Sequence, residues 1–536
     1  MDEDTWDDPG VAALVERVAV PVKVDADARP DVYSRYHLGG LPSVALLGAD
    51  GAFVRGATFL TVAELHGFLD GAMADWRAGR RPAKRATPAR AAPVDLIDAV
   101  VARLVKRADR EHGGFGVAPK LPEVEAVTLL LRRWRGTREA ALEHIVRVSI
   151  DAVLFHLGDP RDGGVFRYAA GADWSGAHTE KLALDQALIA RLLLEAGTAL
   201  PEPRYLEAAR GVLAHARHRL ADPEGRVFSS VAADPEYYAR SSGDGPVACD
   251  GAAAMRADQP EPPSEPLPAV DTRRFADGSA AMIAASSLAL AVTQEDLGFS
   301  PEYRAGAGTG ALPHRLDEPG GVRGLLRDHA LGLTGALAEY RVTGDRATLE
   351  WGERVAAFAI EQLWDEAASA FRAEPASAAG EIALPPMLPL LGNGEMAMAL
   401  ADLAGHTGRA EYARYAERTV AALAGRAALS PAGPALALAA LRLADRPAEA
   451  DLDGEAGDPR TRALARAAVA ALGPTVIVRW TGTGAPALTL CARDLCLPTL
   501  ADPRDLLEAL MEVELAPHGI LSLWSSPGSH EGGRAS

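Results

Sequence analysis

Cysteine is scarce in this sequence: three among 536 residues, the first of them at Cys249. So few thiols cannot build a disulfide framework or a cysteine-based zinc cage. The glycine-rich stretch GGFG, residues 113–116, lacks the Lys-Ser/Thr pair that completes a phosphate loop. A reduced, cytoplasmic protein is therefore the simplest interpretation, and we expect neither a metal nor another cofactor.

Positive charge and long apolar runs are also in short supply. A formal net charge of −18 argues against a nucleic-acid partner, because phosphates are bound by clustered Lys and Arg. No continuous apolar run approaches the ~20 residues that span a bilayer, and the opening residues MDEDTWDD are acidic where a signal peptide is basic. We therefore expect no membrane association. Hydrophobic residues make up 48% of the chain, enough for large cores, and its length indicates several domains.

Helix and strand patterns alternate in the first 75 residues, which indicates a small α/β domain. Gly-Gly-Leu-Pro leads into an apolar run, so Pro42 is a candidate for a cis peptide bond. The predicted elements are a helix at 11–17, the strand VAVPVKVDAD at 18–27, a helix at 30–36, a hairpin at 43–55 and a helix that begins at Thr61.

The rest of the chain divides by composition. Residues 76–93 are basic and proline-rich without an acidic residue, which is typical of a solvated linker. From 94 to 472 the sequence repeats amphipathic helical stretches, which favours a toroid of helical hairpins over a four-helix bundle. Two Pro- and Gly-rich breaks, 241–270 and 295–320, are expected to be loops. Residues 473–536 form a short β-containing segment with a polar tail.

Several motifs resemble the family of spermatogenesis-associated, thioredoxin-domain-containing proteins, which is found from bacteria to animals. The resemblance implies a thioredoxin-like domain joined to an (α/α)6 barrel similar to six-hairpin glycosidases and sugar epimerases. The matching stretches follow the family's order along nearly the whole chain: VKVDADARPDV (22–32), EHGGFGVAPKLP (111–122), GGVFRY (163–168), HTEKLALDQA (178–187), DPEGRVFSS (222–230) and CARDLCLP (491–498).

The redox motif of that family is missing from this sequence. The family's Cys-x-x-Cys-His precedes a segment that MDEDTWDDPGV resembles from its first residue, so the chain is expected to start just after the cysteines and the strand before them. Without a thiolate this domain cannot perform dithiol chemistry. We expect VAVPVKV and SVALL to pair directly in parallel, because their backbone groups otherwise stay unmatched. A reading frame extending upstream through a Cys-x-x-Cys would restore a thiol-disulfide oxidoreductase. The C-terminal pair Cys491 and Cys496 is expected to be reduced.

The stretch HTEKLALDQALIARLLLEA holds the strongest candidate site. If it is helical throughout, His178, Lys181 and Asp185 share one stripe that leucines continue, so the first turns would line a pocket and the later turns fill a core. Glu180 lies beside this stripe. Taken alone, the stripe is more simply a solvated helix N-terminus, whereas the family resemblance favours a pocket. These four residues are our candidate catalytic groups.

Further candidates for substrate binding are polar residues that are weak evidence individually and indicate a site only if they lie together. The reason is that sugar chemistry uses paired carboxylates with Arg and aromatic neighbours. These candidates are Asp162, Arg167, Tyr168, Asp234, Asp328 and Asn393.

Two segments depart from the family, and they leave the function open. Gly278, Ser279 and Ala280 stand where a Trp-Asn-Gly is expected, and 231–234 replaces a Gln-Asp-Ala-Asp segment. We therefore carry two hypotheses: a barrel of glycosidase or epimerase type that binds or processes a sugar-like metabolite, and a non-catalytic binding or scaffold protein. A protein partner at the thioredoxin-like domain is compatible with both.

Overall fold

The computed structural model describes residues 5–79, 95–200, 202–241, 267–305, 308, 310–318, 320–376, 386–492 and 495–512. The helices are α1 Pro9–Val18, α2 Pro30–Tyr36, α3 Val62–Arg77, α4 Leu96–Arg107, α5 Val124–Thr137, α6 Ala140–Leu157, α7 Ala183–Ala199, α8 Pro203–Arg219, α9 Pro235–Ser241, α10 Ala276–Thr293, α11 Leu326–Thr343, α12 Arg346–Phe358, α13 Leu390–Thr407, α14 Ala410–Ala427, α15 Gly433–Ala444, α16 Pro459–Leu472 and α17 Pro503–Glu512. The strands are β1 Val44–Leu47, β2 Phe53–Ala57, β3 Tyr168–Ala169, β4 Ala177–His178, β5 Lys181–Leu182, β6 Ser230–Val231, β7 Val270–Asp271, β8 Trp364–Asp365, β9 Ala370–Phe371, β10 Glu449–Asp453, β11 Ile477–Trp480, β12 Ala487–Ala492 and β13 Leu495–Cys496.

The N-terminal unit is small and follows most of its predicted elements. α1 and α3 pack together over an apolar cluster, and β1 and β2 form an antiparallel hairpin. Thr61 begins α3 with a capping box, in which its hydroxyl accepts from the Glu64 amide while the Glu64 carboxylate accepts from the Thr61 amide. The Leu41–Pro42 peptide bond is cis, as predicted.

The predicted strand at 18–27 is wrong, and so is its predicted pairing. Residues 19–25 have no regular structure, and among the described residues β1 pairs only with β2. Val20 and Val22 are 88% and 77% exposed. The physical reason is the lack of a neighbouring strand in the described residues, since an extended segment without a partner cannot bury alternate side chains.

A closed ring of six helices forms the centre of the larger unit. α5, α7, α10, α11, α13 and α15 pack against one another in that order, and α15 packs back against α5. Helices α4, α6, α8, α12 and α14 lie outside this ring. Between α10 and α11, the described part of the chain has a loop with one 3-10 turn, Glu302–Arg304, in place of an outer helix. The predicted helical toroid is confirmed, with one outer position filled by a loop.

Helix α10 is long and apolar enough to cross a membrane by length and composition alone. Most of its residues are buried, because α7, α11 and α16 pack around it. It is a core helix of the toroid.

The C-terminal segment contains more structure than its sequence predicted. Strands β10 to β13 form a sheet in the order β11-β10-β12-β13, and α16 packs against both this sheet and the ring helices α10 and α11. Strand β10 and helix α17 were not predicted. The register of β12 and β13 places Cys491 opposite Cys496, and the two form a disulfide with Cα atoms 4.1 Å apart. The predicted reduced pair is wrong, and the cytoplasmic location inferred with it stays a prediction.

Two predicted segments lie largely outside the described residues. The linker at 76–93 overlaps the last turn of α3, which ends at Arg77, and residues 80–94 are not described. Most of the break at 241–270 is likewise not described.

One kind of turn follows four of the outer helices, and the sequence analysis did not predict this repetition. Each of these turns begins with an aspartate whose carboxylate bonds a cation later in the chain. The pairs are Asp109 with Lys120 at 2.6 Å, Asp159 with Lys181 at 2.7 Å, Asp222 with Arg226 at 2.6 Å and Asp365 with Arg372 at 3.1 Å. The sequence signal is D-x-x-x-G-G, at 109–114 and again at 159–164.

Among these cations Lys181, like Lys120, is completely enclosed. Its Nζ atom donates to Asp159 at 2.7 Å and to Asp162 at 2.7 Å, and its side chain has no exposed surface. The same Nζ lies 5.2 Å from the ring centre of Phe166 and 5.7 Å from that of Tyr238. The ammonium group therefore ties the turn after α6 to its surroundings, in the same way as Lys120 ties the turn after α4.

We predict that Lys181→Met destabilises the protein by about 3–5 kcal/mol, because the substitution leaves two carboxylates without their cation in a buried place. Chemical denaturation measures the free energy of unfolding. Arg226→Met is the matched control: its cation bonds the equivalent turn but is 40% exposed, so a loss below about 1 kcal/mol is expected. Equal losses in the two variants would contradict a structural role for Lys181.

Candidate functional site

Charged side chains collect where the ring helices begin. They are Glu125 on α5, Asp185 on α7, Asp277 on α10, Arg327 on α11 and Glu395 on α13. Asp185 interacts electrostatically with Arg327 and Glu125, and Glu395 interacts with Arg327, Glu125 and Asp277. The N-terminal ends of five ring helices therefore face one common space, which we call the mouth of the toroid.

Asp185 is the least satisfied group at the mouth. Its side chain is half-buried, and within the described residues its carboxylate accepts no hydrogen bond. Burial raises the pKa of Asp185 to about 6, and the guanidinium groups of Arg167 and Arg327 oppose that rise. A carboxyl group with a pKa close to neutral can both give and take a proton, which is the property of an acid-base group.

Glu395 and Arg327 form an ion pair across the mouth. The shortest distance between the guanidinium Nη2 and the Glu395 carboxylate is 3.3 Å. Burial raises the pKa of the Glu395 carboxyl, and the Arg327 charge opposes the rise. Arg327 thus interacts with carboxylates from four ring helices, those of Glu125, Asp185, Asp277 and Glu395.

Arg167 and Glu180 form a second ion pair, at 2.6 Å, next to the short strands in front of α7. Both groups interact electrostatically with Asp27 of the N-terminal unit, and burial raises the pKa of Asp27. Asp25 is held nearby by Arg273 at 2.6 Å. The segment 25–27, part of the family-like motif VKVDADARPDV, therefore borders the mouth.

His314 joins this segment to the toroid. Its Nδ1 atom lies 3.0 Å from Asp328 Oδ1, and its Nε2 atom lies 2.7 Å from the carbonyl oxygen of Asp27. Burial alone would lower the pKa of His314, but the Asp328 carboxylate raises it to about 10. The imidazolium donates from both nitrogens. Although Asp277, His314 and Asp328 have their polar atoms within 4.8 Å of one another, His314 has no lone pair left for a cation.

The predicted helical stripe from His178 to Asp185 is wrong at its start. α7 begins only at Ala183, whereas His178 lies in β4 and Lys181 in β5. The backbone there is extended because β4 pairs with β3, and β5 pairs with β6. His178 stacks on Tyr168 with ring centres 4.9 Å apart, and its buried Nδ1 has no partner. Lys181 is enclosed in the turn after α6, and a catalytic role for either residue stays a prediction.

The remaining predicted binding residues have local structural partners. Asn393 accepts from the Phe371 amide at 2.8 Å and donates to the Phe371 carbonyl at 2.9 Å. Asp234 accepts from the Tyr237 amide at 2.8 Å. Asp162 belongs to the Lys181 cluster, and Asp328 holds His314. Of the residues predicted from the sequence, Arg167, Glu180 and Asp185 meet at the mouth.

Several mouth residues were missed in the sequence, namely Asp27, Glu125, Asp277, Arg327 and Glu395. The available signal was a single charged residue near the start of an Ala- and Leu-rich helix, as in VEAV and ADGS. A charge in that position is also a common favourable partner of the helix dipole, so one sequence does not separate the two roles.

Two cavities continue from the mouth along the axis of the toroid. The outer cavity lies among α5, α7, α11, α13 and α15, and its charged lining consists of Glu125, Arg132, Arg191, Glu195 and Glu395. The inner cavity shares Arg132 and Arg191 with it. Its remaining charged lining residues are Arg341 and Asp402, and residues at the end of α16 and just after it line its far side.

Comparison with known proteins gives relatives for part of the chain. No protein-family model matches it. Spermatogenesis-associated protein 20 of Homo sapiens is 25% identical over 275 residues, which cover 44% of this chain and 34% of that protein, and the Mus musculus protein matches to the same extent. The aligned region spans about a third of these curated relatives. These matches fit the family that the sequence motifs indicated, and the predicted resemblance to that family is confirmed.

Solved structures with similar folds share little sequence with this chain. A sugar epimerase from a ruminal bacterium has a TM-score of 0.46 at 14% identity and covers 60% of this chain and 83% of its own. A D-mannose isomerase has a TM-score of 0.46 at 11% identity, covering 62% of this chain and 88% of its own.

We predict that Asp185→Asn stabilises the protein at neutral pH. The folded-state pKa of Asp185 lies above the ordinary 3.8, so the native state binds this proton more tightly and stability falls as pH rises from about 4 to 6. Above that window, removal of the charge should raise the free energy of unfolding by roughly 1–3 kcal/mol. Urea unfolding at pH 5 and pH 7 measures it, with Asp98→Asn on the surface as control. A loss of stability at pH 7 would contradict the assignment.

We predict a second pH dependence, for His314, with the same sign but in a more alkaline window. Its pKa of about 10 lies above the ordinary 6.5, so its contribution to stability is complete below pH 6.5 and is lost as pH rises through about 10. The stability difference between the wild type and His314→Gln should therefore shrink over that window. Unfolding at a series of pH values tests this, and exposed His144→Gln serves as control. A difference that stays constant with pH would rule out a charged His314.

Proposed function

We propose that the protein binds a small sugar or sugar-like metabolite at the mouth of the toroid and that Asp185 acts there as an acid-base group. The observation that carries the proposal is the Asp185 carboxyl: it accepts no hydrogen bond within the described residues, has a pKa near 6 and faces the guanidinium groups of Arg167 and Arg327. A buried carboxyl group without a partner destabilises the fold, and carboxyl groups with strongly shifted pKa values concentrate in active sites.

The groups around Asp185 suit a polyhydroxylated ligand. Carboxylates accept hydrogen bonds from hydroxyl groups, and guanidinium groups donate to ring and hydroxyl oxygens. Glu125 supplies a second carboxylate, which lines the outer cavity and accepts no hydrogen bond within the described residues. Two carboxylates in different environments allow one to be protonated while the other is ionised, as sugar hydrolysis or proton transfer requires.

Binding without catalysis is the second candidate function, and one observation favours it. The first turn of α10, at the mouth, carries the small residues Gly278, Ser279 and Ala280 where the family-like pattern has a Trp-Asn-Gly. The Ser279 hydroxyl is buried without a partner, and an added Cβ at Gly278 would meet nothing closer than 3.8 Å. Residues 1–248 hold no cysteine, so the proposal assigns no thiol step to the N-terminal unit.

A sugar panel tests the proposal in two steps. Thermal unfolding with neutral hexoses, disaccharides and amino sugars identifies a ligand that raises the melting temperature. Incubation of that ligand with the protein in D2O, followed by NMR, then detects hydrolysis, isomerisation or deuterium exchange at carbon.

We predict that Asp185→Asn lowers turnover by a factor of about 100 or more while ligand affinity changes little, since an acid-base group acts mainly on the reacting bond. Asp98→Asn, on the outer face of α4, is the matched control and should leave both unchanged. Binding without turnover in the wild type would favour the second candidate. A panel without any hit, or an Asp185→Asn variant with full turnover, would contradict Asp185 as the acid-base group of a sugar site.

A further inference from the structure

Positive charge exceeds negative charge in the interior of the toroid, below the mouth. Five guanidinium groups interact there with only two carboxylates among the described residues. The cations are Arg132, Arg135, Arg191, Arg341 and Arg442, and the anions are Glu195 and Asp402.

Both carboxylates are already engaged by other arginines. Arg132 binds Glu195 through two hydrogen bonds of 3.0 and 2.8 Å. Arg341 and Arg442 share Asp402, each at 2.5 Å. The carboxylates of Glu195 and Asp402 are therefore already paired with these three arginines.

Two arginines, Arg135 and Arg191, are left over, and of these Arg191 lines the cavities. Within the described residues its guanidinium makes no hydrogen bond or ion pair, and it lines both the outer and the inner cavity. Burial lowers the pKa of Arg191, Glu195 and Asp402 oppose that shift from a distance, and the nearby charges of Arg132 and Arg341 add to it. The Nη2 atom of Arg442, a residue only 8% exposed, is also buried without a partner.

The neighbouring groups do not relieve this excess charge. His406 is close to Arg341 and Arg442, and burial together with these charges lowers its pKa to about 3, so it stays neutral. A guanidinium without an ion-pair partner in a protein interior is unfavourable, whereas a guanidinium that meets an anion is stabilised.

We propose that the axial cavity binds a compact anion at Arg191. Arg191 supplies planar donors suited to a halide or to the oxygens of a carboxylate or phosphoryl group. Ser287 and Thr475 line the inner cavity, and their hydroxyls have no partner among the described residues.

The anion has two sources that share this chemistry. Arg191 follows Asp185 by six residues on α7, so it lies about 9 Å deeper along the axis. One source is a free inorganic ion that occupies the cavity. The other is the acidic group of a ligand whose opposite end lies at the mouth. The proposal itself does not depend on catalysis at Asp185.

Thermal unfolding at constant ionic strength tests the proposal and separates the sources. Chloride, inorganic phosphate and glucuronate are each exchanged against morpholinoethanesulfonate as the reference anion, with glucose as the neutral partner of glucuronate. We expect a saturable rise in melting temperature of about 2 °C or more with at least one compact anion. A response to chloride or phosphate indicates a free ion, and a response to glucuronate alone indicates a ligand group.

Arg191→Met should abolish that response, and Arg133→Met, on the opposite face of α5 and paired with Asp98, should keep it. In morpholinoethanesulfonate alone, Arg191→Met should unfold at the same temperature as the wild type or higher, because it removes a half-buried cation that makes no ion pair among the described residues.

Crystals of the wild type grown with bromide give an independent measurement, since an anomalous peak is expected beside the Arg191 guanidinium. A wild type that responds to none of the anions, or an equal response in Arg191→Met, would overturn the proposal, and no bromide peak at Arg191 would overturn the free ion as the source.

Discussion

Closure of the six-helix ring is the constraint on which the rest of the structure depends. Five ring helices bring their N-terminal ends to one mouth, so a residue's position along its helix sets its depth in the toroid. Side chains in the first turn, such as those of Asp185 and Arg327, face the mouth and its ligands. Side chains one or two turns later, such as Leu188 and Leu331, fill the wall of the axial cavity.

Charge inside the toroid follows from the same geometry. Where a carboxylate meets a cation, as in the pairs Asp159–Lys181 and Glu195–Arg132, the pair holds turns and helices in place. Where a charged group has no partner among the described residues, as with Asp185 and Arg191, the fold is destabilised by that group. Unpartnered charges at two depths of one axis are the reason for assigning ligand binding to the toroid's interior.

The sequence predicts the architecture well where local signals act alone. The capping box at Thr61, the hairpin of β1 and β2, and the amphipathic helices of the toroid all follow from nearest-neighbour chemistry. The sequence-based prediction fails where contacts with distant segments determine the local structure. Residues 19–25 form no strand because they have no partner strand among the described residues, and His178 is extended because β4 pairs with β3. The mouth residues Glu125 and Glu395 lie 270 positions apart, and only ring closure brings them together.

The central claim is that the mouth of the toroid holds a carboxyl group that titrates near neutral pH. Difference infrared spectroscopy between the wild type and Asp185→Asn isolates the carbonyl band of the protonated Asp185 carboxylic acid. The account predicts that this band disappears with a midpoint near pH 6. A band that is already absent at pH 5, as for an ordinary aspartate, would contradict it.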